Sequence, residues 1–136
     1  MPIEIVVATI ADYDQLARLD HHVTPEVIAQ KITHAEILVA RRDGMVIGWL
    51  RYGYFWDSIP YLNMLVIQEP YRRQGIGTQL ITTWEQIMRT RGTSEVLTST
   101  LANEYSQFLY RKLGYQDCGA LLLPGEPLEI IMRKVL

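Results

Sequence analysis

The chain has 136 residues, one domain's length, with 49% hydrophobic and 21% charged residues, ordinary proportions for a globular protein. Its formal net charge of −2 removes nucleic acid from the expected partners, and its single cysteine, Cys118, removes an internal disulfide and a cysteine-built metal site. No apolar run is long enough to span a bilayer, and the opening MPIEIVVATIADYD carries acids but no basic leader, so the expectation is one cytoplasmic domain over residues 1–136 with no membrane partner.

In chain order, Ile3–Ala8 is a short apolar run and reads as the first strand. Asp12 with Gln15 fits a helix start of the capping-box kind, with a short helix over Tyr13–Asp20. Asp20-His21-His22 is a polar break. Thr24 as N-cap and Pro25 at the first helical position then open a second helix, with Val27, Ile28 and Ile32 on its apolar face. Glu36–Arg41 and Met45–Tyr54 read as a hairpin around the turn dipeptide Asp43-Gly44. Pro60 leads into a buried strand over Tyr61–Ile67, and Gln68–Gln74 is a polar loop with Pro70 and two adjacent arginines. Gly75-Ile76-Gly77 opens a long amphipathic helix, its apolar positions Ile76, Leu80, Trp84 and Ile87/Met88 at helical spacing and Gly92 its stop. Glu95–Thr100 is a strand, Asn103–Leu113 a helix closed by Gly114, Tyr115–Leu123 a strand, Pro124–Pro127 a turn and Leu128–Val135 the last strand. This order gives a mixed α/β fold, a sheet with helices on both faces. The Tyr61–Ile67 and Glu95–Thr100 strands form a right-handed parallel crossover through the long helix.

The strand, loop, glycines and helix from Tyr61 to Arg91 form an anion site by construction. The first turn of a helix has N–H groups without intrahelical partners, and the peptide dipoles add partial positive charge there. Glycine lets a phosphate approach the backbone, and Arg72 and Arg73 add full charges. The Walker pattern fails because Gly77-Thr78 has no lysine, and the dinucleotide pattern fails because its third glycine falls on Leu80.

What remains, Arg72-x-x-Gly75-x-Gly77 after a buried strand, resembles the acetyl-CoA pyrophosphate loop of the GNAT superfamily of N-acetyltransferases. Leu101–Tyr115, LANEYSQFLYRKLGY, resembles that family's second motif, through Asn103, Tyr110 and Gly114-Tyr115. The element order matches the GNAT fold over nearly the whole chain, which implies a central, mostly antiparallel sheet flanked by helices. The resemblance assigns Arg72, Arg73, Gln74, Gly75, Ile76, Gly77 and Thr78 to the pyrophosphate. It assigns Val66, Ile67 and Gln68, on the exposed edge of the central strand, to the pantetheine arm. Asn103 and Tyr110 would reach the same cosubstrate. Tyr110 is implied to protonate the leaving thiolate, and Asn103 to contact pantetheine or order water. On a helix the two lie within about 20° of each other around the axis. Tyr105, Phe108, Leu109 and Leu113 would form the apolar stripe roughly opposite. A packed tyrosine with a hydrogen-bonded hydroxyl is the other reading of Tyr110.

The implied activity is transfer of an acetyl group from acetyl-CoA to a primary amine of an unidentified small molecule or protein, by direct attack in a ternary complex. An alkylammonium with a pKa of about 10.4 must first lose a proton. Many family members use a carboxylate on the central strand for this, and none stands between Ile59 and Ile67 here. Tyr61 and Asn63, on one face of that strand, are candidates to hold a relaying water, and Asp57 precedes it. Tyr52, Tyr54, Phe55, Trp56 and Asp57 read as a site for a cationic amine, or as core or a dimer surface. Homodimers are common in the family. His21 and His22 are solvated or touch the acceptor, with no spacing for a metal site. Cys118 reads as a small buried apolar residue. Glu126 and Glu129 flank the last turn and read as acceptor contacts or as solvated surface charges. The alternative function is a non-catalytic acyl-CoA-binding or sensor module, and a third is an interaction protein reusing the fold.

Overall fold

A computed structural model describes residues 2–136. Seven strands form one sheet, with helices, in the order β1-β2-β3-β4-β5-β7-β6. They are β1 (Glu4–Val7), β2 (Ile37–Arg42), β3 (Met45–Phe55), β4 (Ile59–Ile67), β5 (Glu95–Leu101), β6 (Gln116–Leu121) and β7 (Glu129–Val135). The helices are α1 (Tyr13–Leu19), α2 (Pro25–Thr33), α3 (Ile76–Thr90) and α4 (Ser106–Lys112), with short 3-10 turns at Ile10–Asp12 and Glu69–Tyr71. The sheet is mostly antiparallel, and β4 and β5 run parallel with Tyr61 opposite Leu97 and Leu62 opposite Thr98. The expected mixed α/β architecture is therefore observed, with the elements in the order read from the sequence.

The contacts gather into two units. The first comprises 2–52 with Met64–Trp84, the second Gly53–Asn63 with Glu85–Leu136. In the first unit, Leu16, Ile28, Ile37, Val39, Val46 and Trp49 form the core, and Val23 and Ile32 pack against it. Thr24 Oγ1 accepts from Val27 N at 3.4 Å and Pro25 follows, the start expected for α2. The helix stops at Ala35, whose φ of +58° is left-handed, while Glu36 N donates to Lys31 O at 2.8 Å. The β2–β3 turn places Asp43 and Gly44 at φ +52° and +76°, the left-handed pair a two-residue hairpin requires.

The expected pairing of Asp12 with Gln15 at the start of α1 is not made. Asp12 Oδ2 accepts from Thr9 N at 2.9 Å and both carboxylate oxygens bind Arg41. Gln15 instead accepts from Val46 N at 2.9 Å and donates to Gly44 O at 3.3 Å, so tertiary partners displace the local cap. Asp20 is buried and accepts from Arg51 Nε at 2.9 Å, Trp49 Nε1 at 3.2 Å and His22 N at 3.2 Å. Gly48 is tightly placed, because a Cβ there would lie 2.8 Å from Ile67 Cδ1 and 3.0 Å from Val66 O.

In the second unit β7 lies between β5 and β6, with Ser99 and Gly119 opposite Ile131, and Leu101 and Leu121 opposite Glu129. Cys118 is exposed, against the buried position expected for it. It sits at a register shift between Asp117 and Gly119 on an edge strand whose six residues are all exposed. The β3–β4 turn has Trp56 and Asp57 at φ +53° and +61°, closed by Ser58 N donating to Phe55 O at 3.2 Å. Helix α3 buries Ile76, Leu80, Ile81, Trp84 and Met88, the stripe its periodicity gives, and ends at Gly92 with φ +85°. Among the described residues no helix is long and apolar enough to cross a membrane.

Candidate active site

The loop between β4 and α3 belongs to the first unit. Pro70 sits in the 3-10 turn Glu69–Tyr71, which ends the strand. The chain then passes through Arg73 at φ +64° and Gly75 at φ +80°. At Gly75 a Cβ would meet nothing within 4 Å, so the glycine is needed for its backbone conformation and not for space. The Gly75 carbonyl accepts from Gln79 N at 3.0 Å, which makes it the residue that launches α3. Helical geometry leaves the N–H groups of Ile76, Gly77 and Thr78 without intrahelical acceptors. Arg72, Arg73, Gln74 and Gly75 are exposed, and Gly77 and Thr78 are half-buried. A helix of 15 residues, two arginines and a left-handed loop together suit a diphosphate.

Two backbone groups at the end of β4 are already engaged. Gln68 N donates to Ile47 O at 2.9 Å, and Ile67 O accepts from Arg72 Nε at 2.9 Å. Arg72 therefore folds back over the strand end, and Arg73 carries the charge that has no such tether. Val66 and Ile67 are half-buried beside Gly48.

The second unit holds Asn103 and Tyr110, and the structure corrects how they were related. Helix α4 begins at Ser106, so Asn103 is in the preceding turn and exposed, not on the helix. The cause is local: Glu104 Oε1 accepts from Leu101 N at 2.8 Å, while Gln107 Nε2 donates to Ala102 O at 2.7 Å and Glu104 O at 2.9 Å. These bonds hold a turn where the helix was expected. The angular relation of Asn103 to Tyr110 on one helix accordingly falls away. The supposed apolar stripe is also reversed, with Tyr105 88% and Phe108 58% exposed and Tyr110 3% exposed on the covered side.

Tyr110 meets Tyr115 edge-on with ring centroids 5.6 Å apart. Burial pushes its phenol up to about 12; the Thr98 hydroxyl pulls the other way and the Glu104 charge adds a little. It is therefore a protonated phenol at neutral pH. Thr98 is itself fixed, donating to Leu62 O at 3.2 Å. Tyr115 donates to buried Glu85, which Lys134 Nζ also reaches at 2.9 Å.

A cavity of about 460 Å³ opens on the second unit. Tyr54, Phe55 and Tyr61 supply rings, Leu121, Leu123 and Ile131 supply aliphatic wall, and Asn63, Ser99 and Glu129 supply polar groups. Register explains the grouping, because Ser99 stands opposite Ile131 and Leu121 opposite Glu129, and directly opposed residues share a face. Burial raises the Tyr61 phenol, a hydrogen bond from Ser99 opposes this, and the Glu129 and Cys118 charges add to it. Tyr61 and Asn63 thus line one cavity, as strand alternation suggested. Asp57 and Tyr52 do not belong to it. Tyr52 is fully buried and donates to Ala35 O at 3.2 Å, and Asp57 is exposed in the β3–β4 turn. Glu129 reads in the sequence as a charge beside the last turn that could touch an acceptor or merely be solvated, and it lines this cavity with Ile131, two positions on along β7.

A sequence model described as the acetyltransferase (GNAT) family matches residues 7–115. An uncharacterized N-acetyltransferase of Chlorobaculum tepidum is 25% identical, with 81% of this chain and 73% of that protein covered. A ribosomal-protein-alanine N-acetyltransferase from Brucella melitensis has the same fold, with a TM-score of 0.82 at 23% identity over 98% of this chain and 99% of its own. So does a GNAT family acetyltransferase from Elizabethkingia anophelis solved with acetyl-CoA bound, with a TM-score of 0.75 at 22% identity over 98% of each chain. The left-handed loop that launches α3 and the match across most of the sequence lead to one conclusion: the chain belongs to the GNAT family of acetyltransferases.

Proposed function

We propose that the chain transfers the acetyl group of acetyl-CoA to a primary amine, by direct attack in a ternary complex. The observation that carries this reading is the β4–α3 loop, where Gly75 at φ +80° opens a long helix beside exposed Arg73. Those features suit a diphosphate bound at residues 72–78. Acetyl-CoA supplies an activated thioester carbonyl. The pantetheine arm is proposed to follow β4 at Val66–Gln68, using backbone groups other than the Gln68 N–H and Ile67 carbonyl already bonded within the protein.

The step balances simply. The amine gives up a proton, its nitrogen forms a bond to the acetyl carbon, the carbon–sulfur bond breaks, and the sulfur takes up a proton. Tyr110 is the proposed donor to sulfur, since burial keeps its phenol protonated well above neutral pH. Asn103, exposed in the turn before α4, is proposed to contact the pantetheine or hold a water. Tyr61 and Asn63, which line the second unit's cavity, are proposed to order the water that carries away the amine's proton.

The test is calorimetric titration with acetyl-CoA. The unaltered chain should bind, and Arg72→Ala combined with Gly75→Asp should abolish binding while circular dichroism shows an unchanged fold. No binding by the unaltered, folded chain would overturn the proposal.

A further inference from the structure

The second unit's cavity has a one-sided chemistry. Three rings and three aliphatic side chains make most of its wall, and Glu129 is its one charged group among the described residues. The basic side chain nearest in register on the same strand face, Arg133, is turned to Glu95 at 2.6 Å and does not neutralise it. A carboxylate facing such a wall attracts a cation, and the faces of aromatic rings add to that attraction. A second charge on the ligand would instead have to lie against Leu121, Leu123 or Ile131 without a partner, which is costly.

The β3–β4 turn points the same way. Left-handed turn positions take Asn or Gly without strain, as Asp43-Gly44 nearly does between β2 and β3, and residues 56–58 join β3 to β4. Here Trp56 holds φ +53°, its side chain 78% exposed. Its ring centroid lies 4.7 Å from that of Phe55, a wall residue of the cavity. A large exposed ring is thus held in an unfavourable backbone conformation beside a wall residue, the kind of strain that clusters at functional sites.

We infer that the acceptor is a primary amine borne on an apolar body of aromatic size with no second charge, and that Glu129 receives its ammonium group and sets this preference. The inference rests on the acetyl-transfer reading above. A free arylalkylamine and a peptide N-terminus with a large apolar first side chain both present this chemistry.

The experiment has two arms on the full chain. Acetyl-CoA binding is measured first by calorimetry. Thiol release is then followed with 2-phenylethylamine, with a short uncharged peptide beginning with Phe, and with spermidine, a polycation lacking an apolar body. At least one of the first two should exceed spermidine in kcat/KM by about tenfold or more, the scale on which such pockets discriminate. Which of the two leads distinguishes a free amine from a peptide. Glu129→Gln should lower kcat/KM for the preferred amine about tenfold, mainly through KM, with acetyl-CoA affinity unchanged. Leu123→Asp, at the exposed rim, should narrow the gap to spermidine about tenfold. A chain that binds acetyl-CoA yet prefers spermidine, acetylates none of the three, or ignores both substitutions overturns the inference alone. A chain that does not bind acetyl-CoA overturns the acetyl-transfer reading and this inference with it.

Discussion

The hydroxyl of Tyr115 donates a 2.8 Å hydrogen bond to Glu85 Oε2, joining two buried residues 30 positions apart. Lys134 Nζ lies 2.9 Å from the other carboxylate oxygen and 5.7 Å from the Tyr115 ring centroid. The cluster fixes the end of α4 to α3 and β7 within the second unit. Tyr115→Phe leaves a buried carboxylate short of one donor and should cost about 1–3 kcal/mol in urea unfolding. Burial, then the Glu85 charge, pushes the phenol upward. The stability it lends is therefore complete below about pH 10 and fades as pH rises beyond that, so the wild-type advantage over Tyr115→Phe should shrink in strong alkali.

Asp20 behaves in the opposite sense. Burial works to raise its pKa, but the Arg51 hydrogen bond and charge, with donors from His22 and Trp49, hold it below the usual carboxylate value. A depressed folded pKa gives stability that is complete above about pH 4 and lost as pH falls through the folded value. Asp20→Asn should flatten the acid limb of a stability–pH curve. At neutral pH it should cost about 3–5 kcal/mol, because Arg51, 5% exposed, is left without its counter-charge.

Ala35 ends α2 at φ +58°, a conformation in which a Cβ is unfavourable. Ala35→Gly should stabilise the chain by roughly 1 kcal/mol, read as a rise in Tm. A fall in Tm would mean that the Cβ makes contacts worth more than the relieved strain.

For catalysis, Tyr110→Phe should lower kcat by about 10²–10⁴ while acetyl-CoA affinity stays near wild type. The phenol sits at about 12, so an alkaline limb in kcat assignable to it should begin only near that pH. An unchanged kcat would leave Tyr110 as a packed aromatic edge-on to Tyr115.

Much of the fold is legible in local chemistry. Thr24-Pro25, Asp43-Gly44 and Gly92 each act through a cap or a backbone angle that neighbouring residues dictate, and the periodic stripe of α3 is buried as its spacing implies. The misreadings have two causes, partners distant in sequence and side chains that bond the nearby backbone. Asp12 takes Arg41 and Gln15 takes Val46 where a local cap was expected. In α4 the start is delayed by Glu104 and Gln107, whose side chains bond the backbone of residues 101–104 and hold it in a turn. Cys118 is exposed because β6 is an edge strand with a register shift, a property of sheet order and not of composition. The left-handed loop that launches α3 could be read because its signature is contiguous. The cavity could not, because Tyr61, Ser99, Leu121 and Glu129 meet only through strand register.

Gly48 lies outside every group assigned a chemical role, yet a Cβ there would fall 3.0 Å from Val66 O and 2.8 Å from Ile67 Cδ1. Any side chain at this position must push on the stretch of β4 proposed to carry the pantetheine arm. Selection acting on cosubstrate affinity would therefore be felt at a residue that never meets the cosubstrate. Serine or alanine at position 48 should therefore displace β4 at Val66 and Ile67, and a fall in acetyl-CoA affinity would report that displacement.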